Sequence, residues 1–212
     1  MAAQKPSTKE KILIATEHLL AEHGFDAVSL RDITNTAEVN VAAVNYHFGS
    51  KEKLFEAVQC RYINPINEER LRLLGEITQG TKVADIRGIL DAFMRPFLNM
   101  VTQSEMKEQM FFKLMGRCIS DQPSDLPEAA LPLLGEMVRE FTMAMARALP
   151  DLPQDQLIWR LHYTFGVMAH TLIHADALRT LTNGECGELD METQLEWMID
   201  FCHAGFNNEK TT

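Results

Sequence analysis

The chain lacks several features that would at once assign it to a large class of proteins. No apolar run reaches the roughly 18–20 residues that a membrane-spanning helix needs. The first residues, MAAQKPSTKEK, have no apolar stretch after their charges, so we do not expect a secretory signal. The four cysteines are widely spaced and form no CxxC pair, which favours reduced thiols that mostly serve packing. We therefore expect a cytoplasmic protein with no membrane partner.

Basic residues are also scarce. The chain has 20 Lys and Arg against 30 Asp and Glu, which leaves a net charge of −10 and argues against indiscriminate coating of nucleic acid. Residues 1–60 hold six basic and eight acidic side chains, so DNA binding there would need a local cationic face. The available cations are Lys5, Lys9, Lys11, Arg31, Lys51 and Lys53.

Helical signals are present along almost the whole chain, whereas the β-branched alternation typical of strands is scarce. This pattern predicts an all-α fold. Ser7 or Thr8 caps a first helix, and Glu10 completes a capping box from Ser7. Gly24 takes the position of a left-handed residue that ends this helix.

Three further helices are predicted close together after Gly24. Ser29 caps LRDITNTA, Asn40 caps VAAVNYHF, and Gly49 ends the latter. Ser50 caps a fourth helix, which Pro65 is expected to kink or end. The connection EVN has a length suited to a helix-turn-helix motif. Later helices are predicted at about 83–102, 105–120, 127–149, 153–180 and 190–207.

The third helix has a composition that suits a recognition helix. Small Ala42 and Ala43 permit close approach to the major groove, and the amide of Asn45 matches an adenine edge. Tyr46 and His47 are suited to backbone phosphates. An ordinary surface helix of an all-α enzyme is the alternative explanation. The candidate DNA-binding residues are Arg31, Asn40, Val41, Ala42, Ala43, Asn45, Tyr46, His47 and Lys51.

Residues 10–58 resemble the DNA-binding domain of TetR-family transcriptional regulators. The resemblance rests on the Gly-Phe turn, the Ser-Leu-Arg-Asp-Ile helix start and the Tyr-His-Phe-x-Ser-Lys-x-x-Leu run. Many relatives have Ser in place of Asn40 and a different pair in place of Val44-Asn45. The resemblance implies a helix-turn-helix domain over residues 1–60 and a helical ligand-binding and dimerisation domain over 61–212. It also implies a repressor that a small effector releases from a palindromic operator.

The second part of the chain is rich in Phe and Met, which adapt to irregular cavities. This favours an apolar effector, although plain core packing is the alternative for each residue. The run LPDLPQDQLIWRLHYTFGVMAHTLIH, with VNYHFGSK, resembles the fatty-acid-responsive branch of the family, which implies an acyl or acyl-CoA effector. The candidate lining residues are Phe93, Phe97, Phe111, Met115, Phe141 and Trp159.

Three arginines lie among these apolar residues, and any of them could hold a carboxylate or phosphate bidentately. They are Arg95, Arg117 and Arg160. Arg117 is the preferred anchor because apolar residues flank it in sequence. A structural ion pair or a surface position is the alternative for each.

His170 and His174 are four residues apart on one helix, with His162 two turns earlier and Asp176 close by. This spacing is compatible with a metal, but no third ligand is defined, and a core or interface pair is the alternative. An α-helical metal-dependent hydrolase or a metal sensor is therefore the second hypothesis. No Ser-His-Asp order, phosphate loop or paired carboxylates stand out, so we expect neither an enzyme nor a cofactor.

A homodimer is expected because one recognition helix contacts only a few base pairs, whereas two related by a dyad read a palindrome. The last two predicted helices are the natural pairing surface, packed with their copies as a four-helix bundle. Closure of the monomer core is the alternative role for their apolar residues. The candidate contacts are Gly166, Ala169, Leu195, Met198, Ile199, Phe201 and Cys202.

Overall fold

The computed structural model describes residues 6–80, 83–104, 106–120 and 127–207, and within these ranges it contains helices and no strand. The all-α prediction is therefore confirmed. No helix in the described ranges is long and apolar enough to cross a bilayer. The helices are α1 Thr8–His23, α2 Leu30–Ala37, α3 Val41–Phe48, α4 Lys51–Ile77, α5 Ile86–Gln103, α6 Glu108–Ser120, α7 Leu131–Ala148, α8 Gln154–Leu181 and α9 Met191–Phe206, with a short 3-10 helix, Glu128–Ala130, before α7.

The first three helices begin at the predicted caps. The Ser7 hydroxyl accepts a hydrogen bond from the Glu10 amide at 3.2 Å. Ser29 and Asp32 form a reciprocal capping box at the start of α2. The expected box at α1 is only half formed, because the Glu10 carboxylate lies 2.7 Å from the guanidinium of Arg61 instead. These local contacts set where the helices of the N-terminal region start.

Helix α4 does not end at Pro65 but continues to Ile77. A proline removes one helical hydrogen bond, which costs stability but does not by itself end a helix that continues well on both sides. Helix α5 likewise contains Pro96. Of the two predicted effects of Pro65, an end of the fourth helix is therefore wrong, whereas a kink stays a prediction.

The chain forms two compact units. Unit 1 consists of Met1–Pro65 and Ser104–Leu131, and unit 2 consists of Ile66–Gln103 and Pro132–Thr212. Helix α4 contributes residues to both. Unit 1 extends beyond the first four helices because α6 packs on α1. The functional division at residue 60 stays a prediction.

In unit 1, α1, α2 and α3 pack on one another through a small apolar core. Ile12 of α1, Ile33 of α2 and Val44 of α3 are buried there. Tyr62 of α4 meets Phe111 of α6 edge-on, with ring centroids 5.5 Å apart. This core fixes the position of α3 and leaves the opposite face of that helix outside.

In unit 2, α5 is the most completely buried helix and packs against α9. Phe93 of α5 and Phe141 of α7 meet edge-on at 5.5 Å between ring centroids. At the surface of this pair of helices, Arg95 of α5 forms ion pairs with Asp91 and Glu192. Apolar burial supplies most of the stabilisation here, because partly exposed ion pairs contribute little.

Candidate nucleic-acid interface and effector site

The connection between α2 and α3 is a tight turn of three residues, Glu38 to Asn40. Glu38 adopts a left-handed conformation, with φ 55° and ψ 47°, which costs energy in a residue with a side chain. Its amide and that of Val39 bond back to carbonyls of α2. The Asn40 side chain then accepts from the Ala43 amide at 2.8 Å and starts α3. This geometry is that of a helix-turn-helix motif.

Helix α3 has one buried anchor and one exposed face. Val44 is fully buried, whereas Val41, Ala42, Asn45 and Tyr46 are exposed. Positions i, i+1, i+4 and i+5 of a helix share a face, so these four side chains project together. Tyr46 is 86% exposed. The structure thus brings together four of the residues predicted to contact DNA.

The remaining predicted contacts flank this face. Asn40 uses its side-chain oxygen as the helix cap, which leaves its NH2 group available to an acceptor outside. Ala43 and His47 are half-buried, and the His47 ring contacts Tyr46 with centroids 5.1 Å apart. Arg31 is exposed in the first turn of α2.

Lys51 makes a contact within unit 1 that the sequence did not indicate. Its ammonium donates to the backbone carbonyl of Phe25 at 2.7 Å and lies 4.2 Å from the centroid of the Phe25 ring. The side chain is half-buried. Its contact with phosphate stays a prediction, beside a structural role that sequence spacing could not reveal.

Two other lysines differ in how much free charge they present. Lys53 lies 2.6 Å from Glu56, and this hydrogen-bonded carboxylate raises the pKa of Lys53 and partly offsets its positive charge. Lys9 is exposed, and its ammonium lies 5.9 Å from the centroid of the Phe48 ring at the end of α3. Lys9 is therefore a cation close to the recognition helix. It was among the cations available in residues 1–60 but not among the candidate DNA-binding residues.

The predicted effector residues divide between the two units. Phe93, Phe97 and Phe141 are buried in unit 2, where Phe93 and Phe141 touch. Phe111 and Met115 are buried in unit 1. Only the first group therefore forms a compact apolar set within the helices of unit 2.

Trp159 departs from the expectation that it lines an internal pocket. It is 58% exposed on α8 and stacks on Tyr163 at 6.0 Å between ring centroids. It therefore belongs to the surface of unit 2 rather than to its core.

The three arginines predicted as anchors have other surroundings. Arg95 is held by the carboxylates described above. Arg160 donates to the carbonyls of Gly205 and Phe206 at 3.0 Å and so caps the end of α9. Arg117 is exposed on α6. The preferred anchor thus lies at the surface, and the other two are engaged in structural contacts.

A fourth arginine, Arg70, was not selected from the sequence. It lies in the charged run NEERLRLL, which looks like a solvated helix face. Its neighbour Arg72 fits that description and pairs with Glu69 and Glu76. Arg70 instead is buried in unit 2. Burial lowers its pKa to about 9, so the guanidinium remains charged at neutral pH. No sequence signal separates these two arginines.

The histidine pair of α8 lies at the surface. The rings of His170 and His174 are exposed, with centroids 4.7 Å apart, and the backbone at His174 is non-helical. His162 contacts Trp159 instead. The side chain of Asp176 lies outside the described residues. Among those that are described, no group of three His, Cys, Asp or Glu side chains could hold a metal.

Comparison with known proteins agrees with this geometry. The family model "Bacterial regulatory proteins, tetR family" matches residues 12–58, and "Tetracyclin repressor-like, C-terminal domain" matches residues 91–205. The regulator YttP of Bacillus subtilis, described as a probable HTH-type transcriptional regulator, is 42% identical over 52 residues, which cover 24% of this chain and 25% of that protein. The repressor AcnR of Corynebacterium efficiens is 27% identical over 85 residues, covering 40% and 42%.

The chain therefore spans less than half the length of these two relatives. A solved TetR-family regulator from Bordetella parapertussis 12822 superposes with a TM-score of 0.67 at 16% identity, covering 96% of this chain and 98% of that one. At this identity the likeness shows the fold alone. The match to the C-terminal model extends over more than half of the chain, and with the match to the helix-turn-helix model it shows that the chain belongs to the TetR family of bacterial regulatory proteins.

Proposed function

We propose that the protein is a cytoplasmic, dimeric repressor that binds a palindromic operator and is released by a small apolar effector. The observation that carries this proposal is the exposed face of α3, where Asn45 and Tyr46 project from a helix anchored by Val44. The family assignment supports regulation of transcription. Repression is supported by one relative, AcnR, whose name describes a transcriptional repressor.

Each part of the recognition helix has a proposed task. Ala42 and Ala43 let the helix approach the floor of the major groove, and Asn45 pairs with the edge of an adenine. Tyr46 and His47 donate to phosphates, as does the free amide of Asn40. Lys9 supplies positive charge beside the same groove, which partly offsets the acidic composition of the chain.

The proposed dimer uses an aromatic surface on α8 and α9 of unit 2. Five large rings are exposed there, an unusual set for a monomer that has no partner. They are Trp159, Tyr163, Phe165, Trp197 and Phe201. A second copy of the chain is the proposed occupant, because two recognition helices are needed to read a palindrome.

Most of the contact residues expected from the sequence lie in the core instead. Leu195, Met198, Ile199 and Cys202 of α9 are buried within the monomer, as is Ala169 of α8. Gly166 and Phe201 are the two members of the set that remain exposed. The proposal therefore keeps α8 and α9 as the pairing helices but assigns the dimer contact to their exposed aromatic face.

The effector is proposed to bind among the apolar side chains of unit 2, with Phe93, Phe97 and Phe141 as lining. An acyl chain suits this surface because Phe and Met side chains adapt to flexible apolar ligands. An effector releases DNA only if it binds the DNA-incompetent conformation more tightly than the competent one. Helix α4 is the proposed connection, because its residues belong to both units.

The second hypothesis, a metal-dependent hydrolase or a metal sensor, is not retained, because no third ligand joins His170 and His174 among the described residues. The family to which the chain belongs consists of transcriptional regulators rather than enzymes. His170 and His174 supply two side chains, and a catalytic metal site in proteins ordinarily has three protein ligands.

The experiment is selection of bound duplexes from a random DNA library by the purified protein. We expect an inverted repeat whose half-site centres are about 34–36 Å apart, or farther apart by one more helical turn. Titration of long-chain fatty acids and acyl-CoA against the selected complex should then lower operator affinity about 5- to 150-fold. Enrichment of no sequence would overturn the regulator proposal, whereas enrichment without any acyl effect would overturn only the effector.

A further inference from the structure

Arg70 of α4 is a charged side chain inside the core of unit 2. Only 4% of the residue is exposed. Its Nε donates to the Phe93 carbonyl at 2.7 Å, its Nη1 to the Asn67 side-chain oxygen at 3.0 Å, and its Nη2 lies 3.7 Å from the Met168 sulfur. All three acceptors are neutral, and no carboxylate of the described residues pairs with the guanidinium.

This arrangement differs from that of three other arginines of unit 2, and Arg160, which also has neutral acceptors, is only half-buried. Arg72, Arg87 and Arg95 each pair with at least one carboxylate. A buried charge without a counter-charge costs several kcal/mol, and arginine rarely escapes that cost by losing its proton. Burial is the sole cause of the lowered pKa of Arg70, with no contribution from a nearby acid. The fold thus keeps a desolvated cation that its own described acids do not neutralise.

The free donors of Arg70 define what it is able to bind. Arginine has five N–H groups, and the three contacts use one on each nitrogen, so Nη1 and Nη2 each retain one. A carboxylate accepts two parallel bonds from such a fork. The thioether sulfur of Met168 is a weak acceptor on a flexible side chain, so an anion could displace it at little cost.

The surroundings of Arg70 define the rest of the ligand. The guanidinium lies 4.1 Å from the centroid of the Phe93 ring, which itself touches Phe141. A body that contacts these rings must be apolar. One arginine compensates one negative charge, whereas a phosphorylated or coenzyme A group would bring further charges into the same core uncompensated.

We propose that Arg70 anchors the carboxylate of a monoanionic effector with an apolar body, which enters unit 2 by displacing Met168. This proposal rests on the proposed response to an effector and specifies its chemical class, a free carboxylic acid rather than a coenzyme A ester. The carboxylic acid supplies the missing counter-charge. Binding of the acid therefore depends on the charge and the forked guanidinium of Arg70.

The test is calorimetric binding of a matched series to the full chain without DNA. The probes are dodecanoate, dodecanol, dodecanoyl-CoA and 4-phenylbutanoate. Wild-type protein should bind dodecanoate more tightly than dodecanol. Arg70→Met should weaken dodecanoate roughly tenfold to hundredfold, the loss expected for hydrogen bonds to a charged group, and leave dodecanol unchanged. Arg147→Met, the same change at an exposed arginine of α7, should alter neither.

Arg70→Lys keeps the charge but loses the fork, so it should retain folding and bind dodecanoate less tightly than wild type. It decides the question should Arg70→Met fail to fold. Equal affinity of the wild-type protein for dodecanoate and dodecanol would overturn the anchor. Failure of both dodecanoate and 4-phenylbutanoate to bind would overturn it as well. Acid binding that depends on Arg70 but leaves operator affinity unchanged would support the anchor and remove the proposed release of DNA.

Discussion

Lys51, the first residue of α4, donates from its ammonium to the backbone carbonyl of Phe25 at 2.7 Å and covers the Phe25 ring at 4.2 Å from its centroid. The contact joins the segment after α1 to the start of α4. Phe25 also packs on Phe55 of α4, with centroids 4.7 Å apart. Because α4 begins three residues after the end of α3, these contacts fix the chain where it leaves the recognition helix.

Lys51→Met should therefore destabilise the protein by about 1–2 kcal/mol, since a charge-assisted hydrogen bond and a cation–π contact are both lost. Urea unfolding followed by circular dichroism measures the change. Lys11→Met, at an exposed position of α1, is the matched control and should have little effect. Unchanged stability combined with weaker binding to every DNA sequence would instead favour a phosphate contact as the main role of Lys51.

Asn45→Ala should weaken binding to the selected operator by roughly 1–3 kcal/mol and relax preference at one base pair, because a bidentate base contact is lost. Fluorescence anisotropy on the operator and its single-site variants measures both effects. Asn45 is exposed, so thermal stability should not change. Operator affinity that stays intact would mean that α3 presents a different face to the groove.

Tyr46→Phe is a matched change on the same face, since it removes one hydroxyl from a ring that is already exposed. If this hydroxyl contacts phosphate, affinity should fall by a similar factor for all sequences, without a change in preference. The comparison is made on the operator and on a scrambled duplex in parallel. A loss confined to the operator would assign Tyr46 to base recognition instead.

Phe201→Asp should produce a folded monomer, because Phe201 is 69% exposed and lies on the proposed pairing face of α9. Its neighbour Met198 is 5% exposed, so Met198→Asp should place an unpaired charge in the core and destabilise the chain by several kcal/mol. Sedimentation velocity at micromolar concentration distinguishes the two outcomes. A Phe201→Asp protein that still sediments as a dimer would exclude this face.

Glu17 of α1 should make stability depend on pH. Burial raises the pKa of its carboxyl above 4.5, although Arg61 and the Tyr62 hydroxyl act in the opposite direction. As pH rises, the unfolded chain releases this proton first, so stability falls from about pH 4.5 up to the folded pKa and stays lower above it. The physical cause is burial of the carboxylate, whose Oε1 accepts no hydrogen bond although the Arg61 Nε lies 3.4 Å away.

Glu17→Gln should remove that decline, so its stability relative to wild type should rise between pH 4.5 and pH 8. Urea unfolding across this range is the measurement. Arg61 keeps its second partner, Glu10, at 2.7 Å in the variant. If the stability of the wild type instead rises relative to that of the variant as pH increases, the attraction to Arg61 outweighs the cost of burial.

The sequence alone determined the helices of the N-terminal region. Ser7, Ser29 and Asn40 each cap the helix that follows, and Gly24 and Gly49 follow the last residues of α1 and α3. These signals operate over three or four residues, because a cap bonds to amides one turn away. The candidate DNA-contact residues of α3 were chosen from the same local information, and the burial of Val44 in unit 1 gives this eight-residue helix its exposed face.

Only the tertiary structure decided which charged and apolar side chains are available outside those helices. Arg70 and Arg72 stand two residues apart in one charged run, yet one is buried against Phe93 and the other pairs with glutamates at the surface. Met198 and Phe201 likewise differ in burial although both are apolar residues of α9. These differences arise from contacts between residues distant in sequence, as when Arg70 meets residues 23 and 98 positions away. Periodicity describes the faces of a helix, but the neighbour against which each face packs is a property of the folded chain.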